Sequence, residues 1–318
     1  MKRSRTLRYI LLSVLIGAFL NAASAFAGVG LFFHFFYARY DAYCPTDLKE
    51  SDLRAAHTAV SFESDGITLN GLIIGDGQKG VIVMAHGLNS GMDAHFPEAD
   101  YFAAHGYTVF TFDGRGTRTA GGVSRGSIST MRNDLNAALD YLSTTAYSSY
   151  DVYLYGHSSG GYAAAVTAGR AKATVVIAAF DEPSSLMIAT AQRFGGGFLS
   201  RLQKPFLALW NRIKAGIGAN ERAVDVLNRT GAKILIVGGD SDTVIPPACA
   251  LSAQQNDLFD PNAVFLTLPG GHSDLWLSED ALAYRAAVGE NPETVDRLRY
   301  NAVDAAFLDA VLAFYDAA

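Results

Sequence analysis

Only two cysteines, Cys44 and Cys249, stand in 318 residues. That is too few for a disulfide framework or a thiolate metal site, and whether the two pair with each other stays open at this level. Charge is also sparse: Asp, Glu, Lys and Arg make up 18% of the chain, and the formal net charge is −6. No block of basic residues occurs beyond the first eight positions. The clustered positive surface that binds phosphate backbones is therefore missing, which argues against nucleic acid as a partner. H-E-x-x-H, C-x-x-C and G-x-x-x-x-G-K-[ST] are absent, so nothing asks for a metal, nucleotide phosphate or another cofactor. Internal repeats and low-complexity tracts are lacking too. What the chain has in quantity is apolar side chains, at 50% of residues. That supports a large core, in one large domain or two small ones, and argues against disorder.

The N-terminus carries Lys2, Arg3, Arg5 and Arg8, then an uncharged stretch from Tyr9 to Tyr37. Two readings fit residues 1–40. A signal peptide would use Tyr9 to Leu20 as its apolar region and the small residues at Ala23-Ser24-Ala25 or Ala25-Phe26-Ala27 for cleavage. A signal anchor would keep the whole stretch, which exceeds the roughly 20 residues that cross a bilayer. Cleavage would leave a new N-terminus rich in Leu, Phe and Tyr, which favours the anchor. The flanking basic residues place the N-terminus in the cytoplasm and the remaining chain across the membrane. Cleavage instead predicts a secreted or periplasmic protein.

Beyond a polar link, residues 41–318 read as one domain of alternating strands and helices. Ala59 to Phe62 and Ile67 to Ile74, joined by Ser64-Asp65-Gly66, predict a hairpin at a sheet edge. The later runs Gly80 to Ala85, Tyr107 to Phe112, Val152 to Tyr155, Thr174 to Phe180, Lys233 to Val237 and Ala263 to Leu268 predict buried parallel strands. Asp134 to Tyr147 and Val303 to Tyr315 have helical periodicity. Residues 181–232 interrupt the alternation with helical patterning and no strand, as a lid or binding element would.

Gly156-His157-Ser158-Ser159-Gly160 lies between a strand-like run and a small-residue helix. A G-x-S-x-G sequence in that setting is a nucleophile elbow, with Ser158 exposed at a sharp turn and the helix N-terminus behind it. Asp240-Ser241-Asp242 follows the run ending at Val237, where carboxylates point into the ligand crevice of parallel sheets. His272 follows the next run, on Pro269-Gly270-Gly271. The order Ser158, Asp242, His272 places a nucleophile, an acid and a base in the sequence that a hydrolytic triad on such a sheet requires. An oxyanion hole needs two backbone amides, and Leu88 and Ser159 are the candidates. His86, beside the same turn, reads as a residue that holds the loop.

His86-Gly87, Asp113-Gly114-Arg115-Gly116, Gly156 to Gly160, Gly239 to Asp242 and Gly271-His272 together resemble the α/β-hydrolase superfamily, over roughly Ala59 to Ala318. Within it the chain is most similar to membrane-anchored hydrolases of the serine aminopeptidase-like group. The resemblance implies an α/β-hydrolase fold: a mostly parallel sheet, helices on both faces and a helical lid, here behind a transmembrane or signal helix. It also implies Asp242 rather than Asp240 as the acid, from the G-x-x-D spacing, with Asp181 as an alternative position. Thr117-Arg118-Thr119 departs from the family pattern, and Arg118 reads as a solvated loop residue or a guanidinium at the site mouth.

The expected activity is hydrolysis of carboxylic esters of lipidic or small acyl substrates through an acyl-enzyme. Peptidase or amidase chemistry with the same triad is the alternative. A non-catalytic binding protein that keeps the fold is a third reading, against which the intact triad speaks. The partners implied are a small acyl substrate and a membrane.

Overall fold

The computed structural model describes residues 2–193, 197–289 and 294–318. In chain order the elements are α1 (Lys2–Phe36), β1 (His57–Ser64), β2 (Ile67–Ile74), β3 (Val81–Ala85), α2 (Phe96–Ala104), β4 (Thr108–Phe112), α3 (Thr130–Leu142), β5 (Val152–His157) and α4 (Ser159–Thr167). They continue as β6 (Ala173–Ile177), α5 (Pro183–Ala191), α6 (Lys204–Ala215), α7 (Ala223–Thr230), β7 (Ile234–Gly239), β8 (Ala263–Leu268), α8 (Glu279–Val288), α9 (Arg297–Tyr300) and α10 (Ala305–Asp316).

All eight strands form one sheet in the order β1-β2-β4-β3-β5-β6-β7-β8. Pairing is parallel from β4 through β8, while β2 runs antiparallel to both β1 and β4. The hairpin turns on Asp65 and Gly66, both with left-handed φ (50° and 75°), which matches the strand twist in a two-residue loop. This is the mostly parallel α/β-hydrolase sheet expected from the sequence.

Burial on both faces follows from period two. Val81, Val83 and Ala85 of β3 enter one core with α3, α4 and α7, while Ile82 and Met84 enter the other with α2 and α10. In the first core Tyr162 of α4 stacks on Phe180, ring centroids 4.7 Å apart. Tyr162 also donates its hydroxyl to the Glu221 carbonyl, so the ring is buried and its polar end satisfied.

Most elements fall within one or two residues of the sequence reading, and one helix and one strand depart further. The helix expected over Asp134 to Tyr147 spans Thr130–Leu142. Past its end the hydroxyls of Ser143, Thr144 and Thr145 take the carbonyls of Asp140, Tyr141 and Leu142, local bonds that compete with further helix. The strand expected to reach Phe180 stops at Ile177, because Ala178 turns to φ 49° and donates its N–H to the Val237 carbonyl.

Residues 181–232 contain α5, a 3-10 turn over Phe198–Gln203, α6 and α7; positions 194–196 lie outside the described residues. α7 is an ordinary crossover helix whose Ala223, Val224 and Leu227 belong to the core. Leu186, Met187 and Ile188 of α5 and Leu207 of α6 enter the same core.

α1 is the one helix among the described residues long and apolar enough to cross a membrane, over Arg8–Phe36. Its two ends differ. Tyr9 to Leu20 projects with its large apolar side chains exposed, whereas Val29, Phe33 and Tyr37 are buried in the first core. Trp210 of α6 stacks on Phe26 at 4.9 Å and donates its indole N–H to the Phe26 carbonyl at 2.9 Å. A Cβ on Gly30 would lie 2.5 Å from Trp210 Cζ2, so the glycine admits this close approach. Arg125 caps the helix end by donating to the Phe36 and Ala38 carbonyls, and Arg39 ties the exit to Ala120 and Gly122. The last third of the segment expected to stand apart as residues 1–40 is thus packed into the domain.

Candidate active site

β5 delivers the chain to Ser158, whose backbone sits at φ 55°, ψ −117°, and α4 begins at the next residue. The turn is tight enough to require two glycines. A Cβ on Gly156 would meet the Gly160 carbonyl carbon at 2.7 Å, and one on Gly160 would meet the Ala85 carbonyl carbon at 2.5 Å. Neither obstacle can swing away, since both are backbone. Gly160→Ala is therefore expected to destabilise the protein by about 3 kcal/mol or more. Urea denaturation checks this, and an unchanged midpoint would mean that the elbow does not press on β3.

The side chain of Ser158 has a base within reach. His272 Nε2 lies 2.9 Å from Ser158 Oγ, and His272 Nδ1 lies 2.8 Å from Asp242 Oδ2. The other Asp242 oxygen accepts the Val244 and Ile245 amides at 2.7 and 2.9 Å, which fixes the carboxylate in place. Burial acts to raise the Asp242 pKa, but the His272 hydrogen bond and the two amides outweigh it and hold it below the usual range. The competing acids are committed elsewhere. Asp240 accepts the Ser241 hydroxyl beside it and, across to the loop after β8, the Gly270 amide. Asp181 accepts the Val224 amide at the start of α7 and the Arg222 guanidinium.

Beside the serine, the amides of Leu88 and Ser159 have no acceptor among the described residues. Both residues line a recess of about 20 Å³ with His86, Gly87, Arg125 and Met131. A space of that size suits a single oxygen, such as a water or a developing oxyanion. His86 Nε2 accepts the Gly114 amide at 2.9 Å, so its proton sits on Nδ1, which donates to the Gly87 carbonyl at 2.8 Å. Burial lowers its pKa, and the neutral ring bridges the loop after β3 to the loop after β4. Holding the loop is the role expected for it.

Residues that the sequence gave no reason to single out support the base. His157 Nε2 donates to the His272 carbonyl at 2.9 Å, with the two rings 4.9 Å apart. Burial, then the neighbouring His272 and His95 imidazoles, holds His157 neutral. Trp276 packs edge-on against His157 at 4.9 Å, and behind it lies the fully buried pair His95–Glu98. The only sequence signal for His157 was its place inside the pentapeptide. For Trp276 and Glu98 no signal existed, because their relation to the site depends on tertiary packing.

Arg118 corrects an expectation. It is neither solvated nor at the site mouth: it is buried, paired with Asp93 and Asp47, and lies 4.1 Å from the Tyr43 ring centroid. Cys44 is exposed, Cys249 is buried, and both are free thiols. Among the described residues no group of three His, Cys, Asp or Glu could hold a metal. A recess of about 1140 Å³ runs along the β1 edge past Leu48, His57, Asp100 and Tyr141, and contains neither Ser158 nor His272. Its volume therefore says nothing about the chemistry at Ser158.

Residues 76–204 match the family model described as serine aminopeptidase, S33. That span includes Ser158 and stops short of Asp242 and His272. No curated protein matches the sequence significantly. Among solved structures, an esterase of Pyrococcus furiosus is similar at 18% identity with a TM-score of 0.57, covering 74% of this chain and 91% of that one. The α/β hydrolase GrgF from Penicillium sp. sh18 is similar at 17% identity and TM-score 0.52, covering 82% and 98%. Est1E from Butyrivibrio proteoclasticus, with ferulic acid bound, is similar at 18% identity and TM-score 0.52, covering 67% and 91%. With its sheet order, its elbow and these likenesses, the chain is an α/β-hydrolase by fold, similar over residues 76–204 to the serine aminopeptidase family.

Proposed function

We propose that this protein is a serine hydrolase of carboxylic esters, taking lipidic or small acyl substrates and held to a membrane by α1. The observation that carries the chemistry is the hydrogen-bonded chain Ser158–His272–Asp242, at 2.9 and 2.8 Å, set on a strained elbow beside two free amides. In this reading His272 Nε2 takes the Ser158 proton as Oγ attacks the acyl carbonyl. Asp242 keeps the Nδ1 proton facing it and stabilises the imidazolium. The Leu88 and Ser159 amides receive the oxyanion, with the N-terminus of α4 adding its partial positive charge. His272 then protonates the leaving alkoxide, and water releases the acyl group by the same steps in reverse roles.

Ester chemistry is supported by fold relatives whose names include esterases. The match to the serine aminopeptidase model supports the second reading, peptidase or amidase chemistry at the same three residues. A fluorophosphonate probe tests the shared part. It should label the wild-type protein and leave Ser158→Ala unlabelled, and an unlabelled wild type would sink both readings. A panel of p-nitrophenyl esters, lysolipids and aminoacyl amides then separates them.

A further inference from the structure

We propose that the outer face of α6 is a second membrane contact, lying in the interface of the same bilayer that α1 enters. This rests on the reading of α1 as an anchor.

The argument begins with length. A hydrocarbon core of about 30 Å takes roughly 20 helical residues. Arg8 is the last charge before the apolar stretch, and a charged side chain stays at the interface or snorkels to it. A bilayer entered just after Arg8 is therefore left close to residue 28. That is the level at which Trp210 sits, stacked on Phe26 and in contact with the Gly30 and Phe33 turns. Tryptophan is enriched at this depth because its ring suits the apolar side and its N–H the polar side.

α6 meets α1 at that level through Trp210, and its residues divide by direction at about 100° per residue. Leu207, Asn211 and Ala215 are buried in the domain. Trp210 faces α1. Leu209 and Ile213, one turn apart and next to Trp210 on the helix surface, are exposed at 47% and 55%. Leu202 before the helix and Ile217 after it are exposed as well, at 61% and 83%. Arg212 and Lys214 flank the stripe in the last turn, positioned for lipid phosphates. Such an apolar row is unfavourable in water, and it lies beside Trp210, which packs on α1 just below the exposed stretch of that helix. Because α1 is fixed to the domain by Trp210, Arg125 and Arg39, the domain cannot swing α6 away on a loose tether.

The test uses the full chain reconstituted in vesicles of phosphatidylethanolamine and phosphatidylglycerol. Cys44→Ser removes the exposed native thiol, and Ile213→Cys or Leu209→Cys accepts an environment-sensitive fluorophore. Phe259→Cys, in the exposed loop before β8, is the aqueous control. The probe at 213 or 209 should emit to the blue of the control and be quenched several-fold more strongly by nitroxide-labelled lipid. If the chain resists carbonate extraction but both α6 probes behave like the control and are quenched by iodide, the α6 contact is overturned and the anchor stands. If carbonate releases the chain, the anchor reading falls and takes the α6 contact with it.

Discussion

Ser158→Ala should lower kcat/KM for an ester substrate by at least about 10⁴-fold while leaving the unfolding midpoint close to that of the parent. The substitution removes one oxygen at a half-buried position and keeps the same backbone, so the fold has little reason to respond. The chemistry has every reason to. Without Oγ there is no acyl-enzyme, and His272 can at best direct a water at a substrate held by the Leu88 and Ser159 amides. At 1.36 kcal/mol per decade the predicted loss is about 5.4 kcal/mol of transition-state stabilisation. Stopped assays with p-nitrophenyl esters at substrate concentrations far below KM measure it directly. Residual activity within tenfold of wild type would show that the serine is not the nucleophile.

Asp242→Asn is the second large effect, with kcat expected to fall by about 10³ to 10⁴-fold. An asparagine fits the same space and can still accept the Val244 and Ile245 amides, so the loop should hold. What changes is the partner of His272 Nδ1. An amide N–H facing that nitrogen favours the tautomer with its proton on Nε2, which cannot accept from Ser158, and no carboxylate remains to stabilise the imidazolium. Asp240→Asn, which can still accept the Gly270 amide and makes no bond to His272, should stay within about threefold of wild type. Equal losses in the two variants would remove the case for Asp242. Its depressed pKa also sets a sign for stability. The contribution is fully present above the unfolded carboxylate value near about 4, and is lost as pH falls through the folded value. Acid unfolding of Asp242→Asn should therefore be shallower than that of wild type below about pH 4.

Much of the frame was legible because it depends on local pattern. The continuous apolar runs from Val81 onward could only be strands buried on both faces, and Gly156 to Gly160 carried its own steric logic. The position of each acid was less legible. Asp181, Asp240 and Asp242 all follow strand ends, and only the hydrogen bonds made in three dimensions separate an N-cap, a loop brace and a histidine partner. Arg118 was misread because no local feature announces Asp47 and Asp93, which lie far away in sequence. His157, Trp276 and Glu98 escaped for the same reason: packing behind a catalytic loop leaves no periodic trace. The double character of α1 was hidden too, since an apolar run looks alike whether it stands exposed or packs under Trp210.

The backbone angle at Ser158 has one further implication. A φ of 55° with ψ −117° is territory that glycine enters freely and other residues enter at a cost of about 1–3 kcal/mol. Drift under pressure for stability alone would carry this position towards glycine. A serine held in that conformation just past β5 therefore stands against a steady thermodynamic slope, one that the proposed role of its hydroxyl would offset.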